Sequence, residues 1–255
     1  MLPVLQIGPL SIRTPGLVLL AGLWAALEMA SREGVRRGID GNKVYNLGFY
    51  ALVAGVLGAR MGFVLFHPLL YIRITPLSRF VGSVFSPTLG TEVPWVGVLL
   101  AAGVAAYLIR RWQLDPLALA DSFAPAFAIM GIAIGLADLL SGNMYGMETR
   151  LPWAIDLWGA ARHPTQLYLA LACAANLAVL LRLRSKEDAL PPGSLFQVSL
   201  VILSLAVLLI EPPRADSPVL IAGVRTWQVI ALGVLVAALA GFAWRAPAAQ
   251  PDGGP

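Results

Sequence analysis

Long apolar runs separated by short polar segments dominate the chain, and seven runs reach or approach the length of a membrane span. A helix needs about 20 mostly apolar residues to cross the hydrocarbon layer. Backbone groups in lipid must be hydrogen-bonded within their own segment, which favours helices for these runs. The pattern predicts an all-α integral membrane protein, a bundle of seven transmembrane helices at about 15–30, 44–66, 93–109, 117–140, 165–183, 194–210 and 227–244.

The distribution of Lys and Arg between the runs predicts an orientation. With the N-terminus outside, the inner loops receive ten basic residues and the outer loops seven. Basic residues favour the cytoplasmic side, most strongly in short loops. We expect the N-terminus outside, the C-terminus inside, and the long loops 66–93, 145–166 and 211–228 on the outer side. A single membrane domain is expected over 1–245, with a disordered tail, rich in Ala, Pro and Gly, over 246–255.

Composition excludes several classes of protein. The chain is 58% hydrophobic and 13% charged, against roughly 25% charged in soluble domains. Two histidines and one cysteine are too few for a disulfide-stapled module, a thiolate zinc site or an iron–sulfur centre. The net charge of +4 comes from scattered basic residues, which argues against nucleic acid and for an anionic membrane surface.

Two of the charges inside predicted spans are candidates for function. Arg60 is about six residues from the outer end of the second span, and Asp138 is in the fourth. Such charges are costly in lipid and normally face the bundle interior, water or a ligand. Arg60 is interpreted as functional rather than as an arginine reaching the interface. Asp138 is equally compatible with function and with a structural ion pair, and Arg60 is a candidate partner.

A polar cluster, residues 162–168, marks the outer start of the fifth predicted helix. It combines a cation, an imidazole, an amide and a phenol in Arg162, His163, Gln166 and Tyr168. The first amide groups of a helix attract phosphate, although a helix cap with an interfacial tyrosine is the simpler interpretation of the cluster alone. Further charge on the same face comes from Glu211, Arg214 and Arg225.

Several short motifs resemble the prolipoprotein diacylglyceryl transferase family and run in that family's order over nearly the whole chain. They are residues 8–13, 58–66, 121–125, 145–146, 151–155 and 162–168, and Glu211 with Arg214. The resemblance implies a multi-pass enzyme of the bacterial plasma (inner) membrane, active on the outer side. It would move a diacylglyceryl group from phosphatidylglycerol to the lipobox cysteine of a prolipoprotein. The implied partners are phosphatidylglycerol, prolipoprotein signal peptides and the bilayer, with no cofactor, metal or nucleic acid.

The chain departs from the family at several positions to which the resemblance assigns a chemical role. Family arginines fall on Gly135 and Val207, an asparagine on Asp138, a glutamate on Asn143 and a histidine on Trp95. The transferase is therefore the first hypothesis, and a non-catalytic lipid- or lipoprotein-binding protein on the same scaffold stays open.

Roles follow from what the implied reaction needs. A thiol must lose a proton to a base, and a departing phosphate must be neutralised by cations. The expected catalytic residues are His163, as base, and Glu211, with Asp138 as a further substitute base. The expected phospholipid-binding residues are Arg60, Asp138, Tyr145, Arg162, Gln166, Tyr168 and Arg214. We expect Arg60, Asp138, Arg162 and His163 to line one cavity.

Overall fold

The computed structural model describes residues 4–7, 10–70, 93–185, 190–221 and 223–245, and most of them are helical. The helices are α1 (Thr14–Arg36), α2 (Gly41–Phe66), α3 (Pro94–Trp112), α4 (Pro116–Ser141), α5 (Thr165–Leu183), α6 (Ser194–Ile210) and α7 (Thr226–Arg245). Antiparallel hairpins pair β1 (Val4–Ile7) with β2 (Leu10–Arg13), β3 (Ile155–Leu157) with β4 (Ala160–Arg162), and β5 (Val219–Ile221) with β6 (Val224–Arg225). A single 3₁₀ turn, Pro68–Leu70, follows α2.

Six of these helices, all except α6, are long and apolar enough to cross a membrane. The shorter helix α6 is also apolar and has 17 residues. The prediction of a mostly helical integral membrane protein is confirmed. The seventh span, the orientation and the single domain remain predictions, and the proposed tail at 246–255 lies outside the described residues.

Residues 34–116 form one compact unit, which contains α2 and α3. Small residues on α2 let α3 approach closely, as is common between membrane helices. Within this contact, Gly58 faces Leu100 and Gly62 faces Val96. Arg60 lies in the same stretch of α2, buried to 8% exposure.

Residues 1–33 and 117–255 form the other compact unit. Helices α5 and α6 are joined inside it by a buried hydrogen bond from Asn176 Nδ2 to Ser199 Oγ (2.8 Å). Ala124 of α4, Leu180 of α5 and Leu195 of α6 form a fully buried apolar cluster. Apolar contacts therefore join three helices whose far ends carry the candidate site.

The start of α6 is held by a side chain from another helix. Asp121 of α4 is buried, and its carboxylate accepts hydrogen bonds from Gly193 N (2.6 Å) and Phe196 N (2.8 Å). The first amide groups of a helix have no partner within the helix, and a negative charge there is favourable. Asp121 therefore fixes the position of α6, whose opposite end leads into Glu211.

Candidate functional site

A short extended segment, residues 145–149, lies between two other segments and joins the two parts of the candidate site. It pairs on one side with residues 213–215 and on the other with residues 161–163. The bonds run from Met147 N to Pro213 O (2.6 Å), Ala215 N to Tyr145 O (2.9 Å), His163 N to Met147 O (3.0 Å) and Thr149 N to Ala161 O (2.9 Å). Residues 145–149 are thus fixed beside residues 213–215, although the two segments are more than 50 residues apart in the chain.

Gly146 allows this close pairing. A Cβ atom at this position would lie 2.4 Å from the carbonyl oxygen of His163 and 2.5 Å from its Cβ. Gly146 also pairs with Arg214 in an isolated antiparallel bridge. The absence of a side chain at residue 146 therefore lets the backbone of His163 lie close to a residue that also pairs with Arg214.

Arg162 anchors the loop around this segment. Its guanidinium donates to the carbonyl oxygens of Leu157 (3.1 Å) and Gly146 (3.4 Å) and to the carboxylate of Glu148 (3.3 Å), and it lies over the ring of Tyr145 (5.3 Å). A guanidinium has five N–H donors. Two of them have no hydrogen-bond acceptor among the residues that the structure describes and can serve a ligand.

His163 is connected to Tyr168, one turn into α5. Its Nδ1 lies 3.3 Å from the Tyr168 hydroxyl oxygen. The same hydroxyl accepts a hydrogen bond from the indole Nε1 of Trp153 (2.8 Å). The three rings therefore form one hydrogen-bonded chain, with the exposed Trp153 at its outer end.

The first residues of α5 are tied to the end of α4. The Thr165 hydroxyl donates to the carbonyl oxygen of Met144, and Gln166 Nε2 donates to the carbonyl oxygen of Asn143 (2.7 Å). Gln166 is fully buried, and its Oε1 accepts no hydrogen bond from the described residues. Two side chains at the same end of α5 therefore lie in different environments. Tyr168 contacts the rings of His163 and Trp153, and Gln166 is in the protein interior.

The guanidinium of Arg214 interacts with three carboxylates. Its guanidinium pairs with Glu211 (3.1 Å) and with Asp216 (2.9 Å). Asp138 interacts with the charges of Arg214 and Asp216 and with the side chain of Asn143. Glu211 and Asp216 therefore share one guanidinium, and the charge of Asp138 interacts with it.

Glu211 is buried to 2% exposure and bonded through both carboxylate oxygens. One accepts from Arg214, and the other accepts from the Ser217 hydroxyl. The backbone carbonyl of Ser217 in turn accepts from the guanidinium of Arg225 (2.9 Å), which is also buried. Glu211 therefore has a fixed orientation at the end of α6.

A cavity of about 150 Å³ opens beside this network. Its charged end is formed by Glu211 and Arg214, and its remaining walls are mainly apolar: Met144, Leu169, Val207, Ile210 and Trp227. An apolar volume with one charged end suits an amphipathic ligand, with its polar group held at Arg214 and its hydrocarbon against the walls.

Eight of the nine site residues expected from the sequence lie in the unit formed by 1–33 and 117–255. The ninth, Arg60, belongs to the other unit, where its guanidinium lies 5.7 Å from the ring centre of Phe63. The expected cavity shared by Arg60 and Asp138 therefore stays a prediction. Within its own unit, Asp138 interacts with the charge of Arg214.

Four of the positions that the sequence motifs mark as expected departures have distinct surroundings. A Cβ atom on Gly135 would lie 2.7 Å from the carbonyl oxygen of Gln166, so α5 leaves no space there for a side chain. Val207 is part of the cavity wall. Trp95 is exposed and lies against the ring of Phe66. Asn143 interacts with Asp138 and with Gln166.

Three partners of the expected site residues were missed by the sequence reasoning. Trp153 reaches Tyr168, while Asp216 and Ser217 complete the surroundings of Arg214 and Glu211. The available signal was the group of polar residues at positions 214, 216 and 217, shortly after Glu211 at the end of an apolar helix. Trp153 lies in the motif 151–155, but the sequence does not indicate its partner, which lies 15 residues further along the chain.

Comparisons with known proteins agree with one another. A family model described as prolipoprotein diacylglyceryl transferase matches residues 3–244. The phosphatidylglycerol–prolipoprotein diacylglyceryl transferase of Geobacter sulfurreducens is 32% identical over 212 residues, covering 81% of this chain and 79% of that protein. The protein of the same name from Methylocella silvestris is 33% identical, with 95% and 93% covered. That from Trichormus variabilis is 30% identical, with 95% and 89% covered.

Proposed function

Because the chain belongs to the prolipoprotein diacylglyceryl transferase family, we propose that it transfers the diacylglyceryl group of phosphatidylglycerol to the cysteine thiol of prolipoprotein signal peptides. The observation on which the proposal depends is the family match over residues 3–244. The multiple apolar helices support a reaction at a membrane.

The proposed reaction exchanges one bond for another at a glycerol carbon. The cysteine sulfur forms a thioether bond to the terminal carbon of the diacylglyceryl group, and the bond from that carbon to the phosphate oxygen breaks. The bonding electrons leave with glycerol phosphate, and the thiol proton passes to a base on the protein. The site must therefore hold an anion at one point and accept a proton at another.

The geometry around residues 145–149 offers two regions for these tasks. Arg162 and the start of α5 are on one side and provide N–H donors for the phosphate, with His163, the base expected from the sequence, beside them. The acid-rich group around Arg214 is on the other side and includes Glu211, which can accept a proton. The apolar cavity walls suit the glyceryl and acyl portion of the lipid. We assign phospholipid contacts to Arg60, Asp138, Tyr145, Gln166, Tyr168 and Arg214 as well.

The proposed topology has seven spans, including α6, and one membrane domain. The N-terminus lies outside, which places residues 145–166 and 211–228 on the outer face of the bacterial plasma membrane. The basic-residue count supports this orientation. Prolipoprotein signal peptides would meet the site at that face.

A second candidate, a non-catalytic lipid- or lipoprotein-binding protein, is favoured by one observation. The sequence motifs imply a family arginine at Gly135, and the adjacent backbone of α5 leaves no space for a side chain there. One cation that the resemblance implies is therefore missing from α4. Such a protein would retain the cavity and bind the same lipid without turnover.

Growth of a bacterial strain depleted of its own transferase distinguishes the two candidates. We expect expression of the full chain to restore growth and lipoprotein maturation, and Glu211→Gln to abolish both. Arg111→Ala, at the exposed end of α3, is the matched control and should behave as wild type. Full-length protein in the membrane without growth, together with accumulated unmodified prolipoprotein, would favour the non-catalytic candidate.

A further inference from the structure

The hydrogen-bonded rings of Trp153, Tyr168 and His163 determine where a proton can lie. An indole N–H is a donor only, so the Tyr168 oxygen accepts from Trp153 across the 2.8 Å contact. A phenol has one proton of its own to donate. Among the described residues, the acceptor within reach of that proton is His163 Nδ1, at 3.3 Å.

Donation by Tyr168 requires a free electron pair on Nδ1. A neutral imidazole has one protonated and one unprotonated nitrogen, and the partner of one nitrogen determines the state of the other. With Nδ1 as acceptor, the proton of neutral His163 lies on Nε2. The opposite arrangement, in which Nδ1 donates to Tyr168, would leave the phenol proton without an acceptor among the described residues.

We propose that Trp153 and Tyr168 hold His163 with its proton on Nε2, so that the imidazole donates a hydrogen bond to the phosphate of the substrate phospholipid. Trp153 and Tyr168 are positioning residues in this arrangement. His163 makes no other side-chain hydrogen bond with the described residues, which leaves Nε2 available to a ligand. Arg162, the adjacent residue, brings a cation to the same loop.

The proposal changes the division of roles in the site. Sequence reasoning makes His163 the base, because it is the imidazole in a suitable position. A donor at Nε2 instead assists the leaving phosphate, and Glu211 on the opposite side of residues 145–149 becomes the acceptor of the thiol proton. The identity of the phosphate rests on the proposed function, whereas the position of the imidazole proton does not.

Nitrogen NMR of histidine measures that position directly. The full chain contains two histidines, so a His67→Gln variant labelled with ¹⁵N-histidine reports on His163 alone. The sample is the intact protein in a phosphate-free maltoside detergent, recorded with and without added phosphatidylglycerol. Tyr168→Phe removes the proton donor while keeping the ring, and Tyr107→Phe, on a residue 63% exposed in α3, is the matched control.

We expect Nε2 protonated and Nδ1 unprotonated in the His67→Gln protein. Tyr168→Phe should shift the ratio of the two tautomers by about two- to tenfold toward Nδ1–H, the effect of one neutral hydrogen bond, and Tyr107→Phe should leave it unchanged. A protonated Nδ1 in neutral His163, or a ratio unaffected by Tyr168→Phe, would overturn the proposed positioning.

The addition of phosphatidylglycerol tests whether Nε2 donates to the lipid, separately from the position of the imidazole proton. A shift confined mainly to the Nε2 resonance supports donation to the lipid. An unchanged Nε2 resonance in protein that transfers the lipid would overturn the donor role while leaving the proposed function intact. The expected tautomer in protein that never transfers lipid would contradict the proposed function and support the positioning by Tyr168.

Discussion

Gly146 shows how one residue controls the arrangement of the site, and its substitution gives a direct prediction. The missing Cβ lies where the backbone of His163 comes within 2.4 Å. In Gly146→Ala, either residues 161–163 or residues 145–149 must shift, at a cost of about 1–3 kcal/mol for overpacking. We expect a lower midpoint of thermal unfolding in detergent and loss of transfer.

Gly103→Ala is the matched control for this substitution. Gly103 lies within α3, and no atom comes within 4 Å of its Cβ position. Alanine is the better helix former, so this variant should be as stable as wild type or slightly more stable. If the unfolding midpoint and the transfer activity of Gly146→Ala equal those of wild type, the segments that flank residues 145–149 tolerate separation.

Arg60 is predicted to contribute to phospholipid affinity. A guanidinium matches the geometry of phosphate and stays charged when partly desolvated. Arg60→Ala should weaken phosphatidylglycerol binding by about 1.5–3 kcal/mol, the loss of a hydrogen bond to a charged group. Titration of the purified protein with the lipid measures this, with Arg111→Ala as control. Equal affinities in Arg60→Ala and wild type would remove Arg60 from the site.

The residues of the site were easier to predict than their partners. Asp138 and Arg214 were each selected because of charge near an apolar span, and the structure brings their charges into interaction. The sequence suggested Arg60 as the partner of Asp138, because both lie near the outer ends of predicted helices. Which charges meet depends on how helices pack around one another, and hydrophobic runs contain little information on that.

At the scale of elements, helices were predicted well and hairpins were not. Apolar runs of 16 residues or more give a strong signal, and each predicted run overlaps one helix. The strands have two to four residues, too few for an alternating pattern to be detected. Their pairing depends on turns such as the one at Gly159, whose φ is +79°.

Asp121 is predicted to stabilise α6 from outside the helix. Its buried carboxylate accepts from Gly193 N and Phe196 N, and hydrogen bonds to charged groups contribute about 1.5–3 kcal/mol each. Asp121→Asn removes the charge and one acceptor, and should lower the midpoint of thermal unfolding in detergent. Asp156→Asn, on an exposed strand residue, should leave it unchanged. Equal effects of the two variants would contradict the capping role.

At the scale of the whole molecule, orientation in the membrane is the next prediction. Single cysteines are introduced at Leu151 and at Val35. The background is Cys173→Ala, so that the buried native thiol is absent and each variant has one cysteine. A membrane-impermeant maleimide added outside should label Leu151→Cys and not Val35→Cys, because the basic-residue count places residues 32–40 inside.

Solubilised protein provides the control for this labelling. Both introduced cysteines replace partly or largely exposed side chains, so both should react in detergent. Labelling of Val35→Cys alone in intact cells would reverse the orientation. The whole candidate site would then lie on the cytoplasmic face. The proposed meeting with exported signal peptides at the outer face would be wrong.

The most direct test of the central claim is transfer by the purified full chain in phosphatidylglycerol vesicles. A lipobox peptide is added, and mass spectrometry measures diacylglyceryl thioether and glycerol phosphate. The account predicts both products in equal amounts, no product from a peptide with serine in place of the cysteine, and none from Glu211→Gln protein that still binds the lipid. Lipid and peptide binding by wild-type protein without either product would contradict the account.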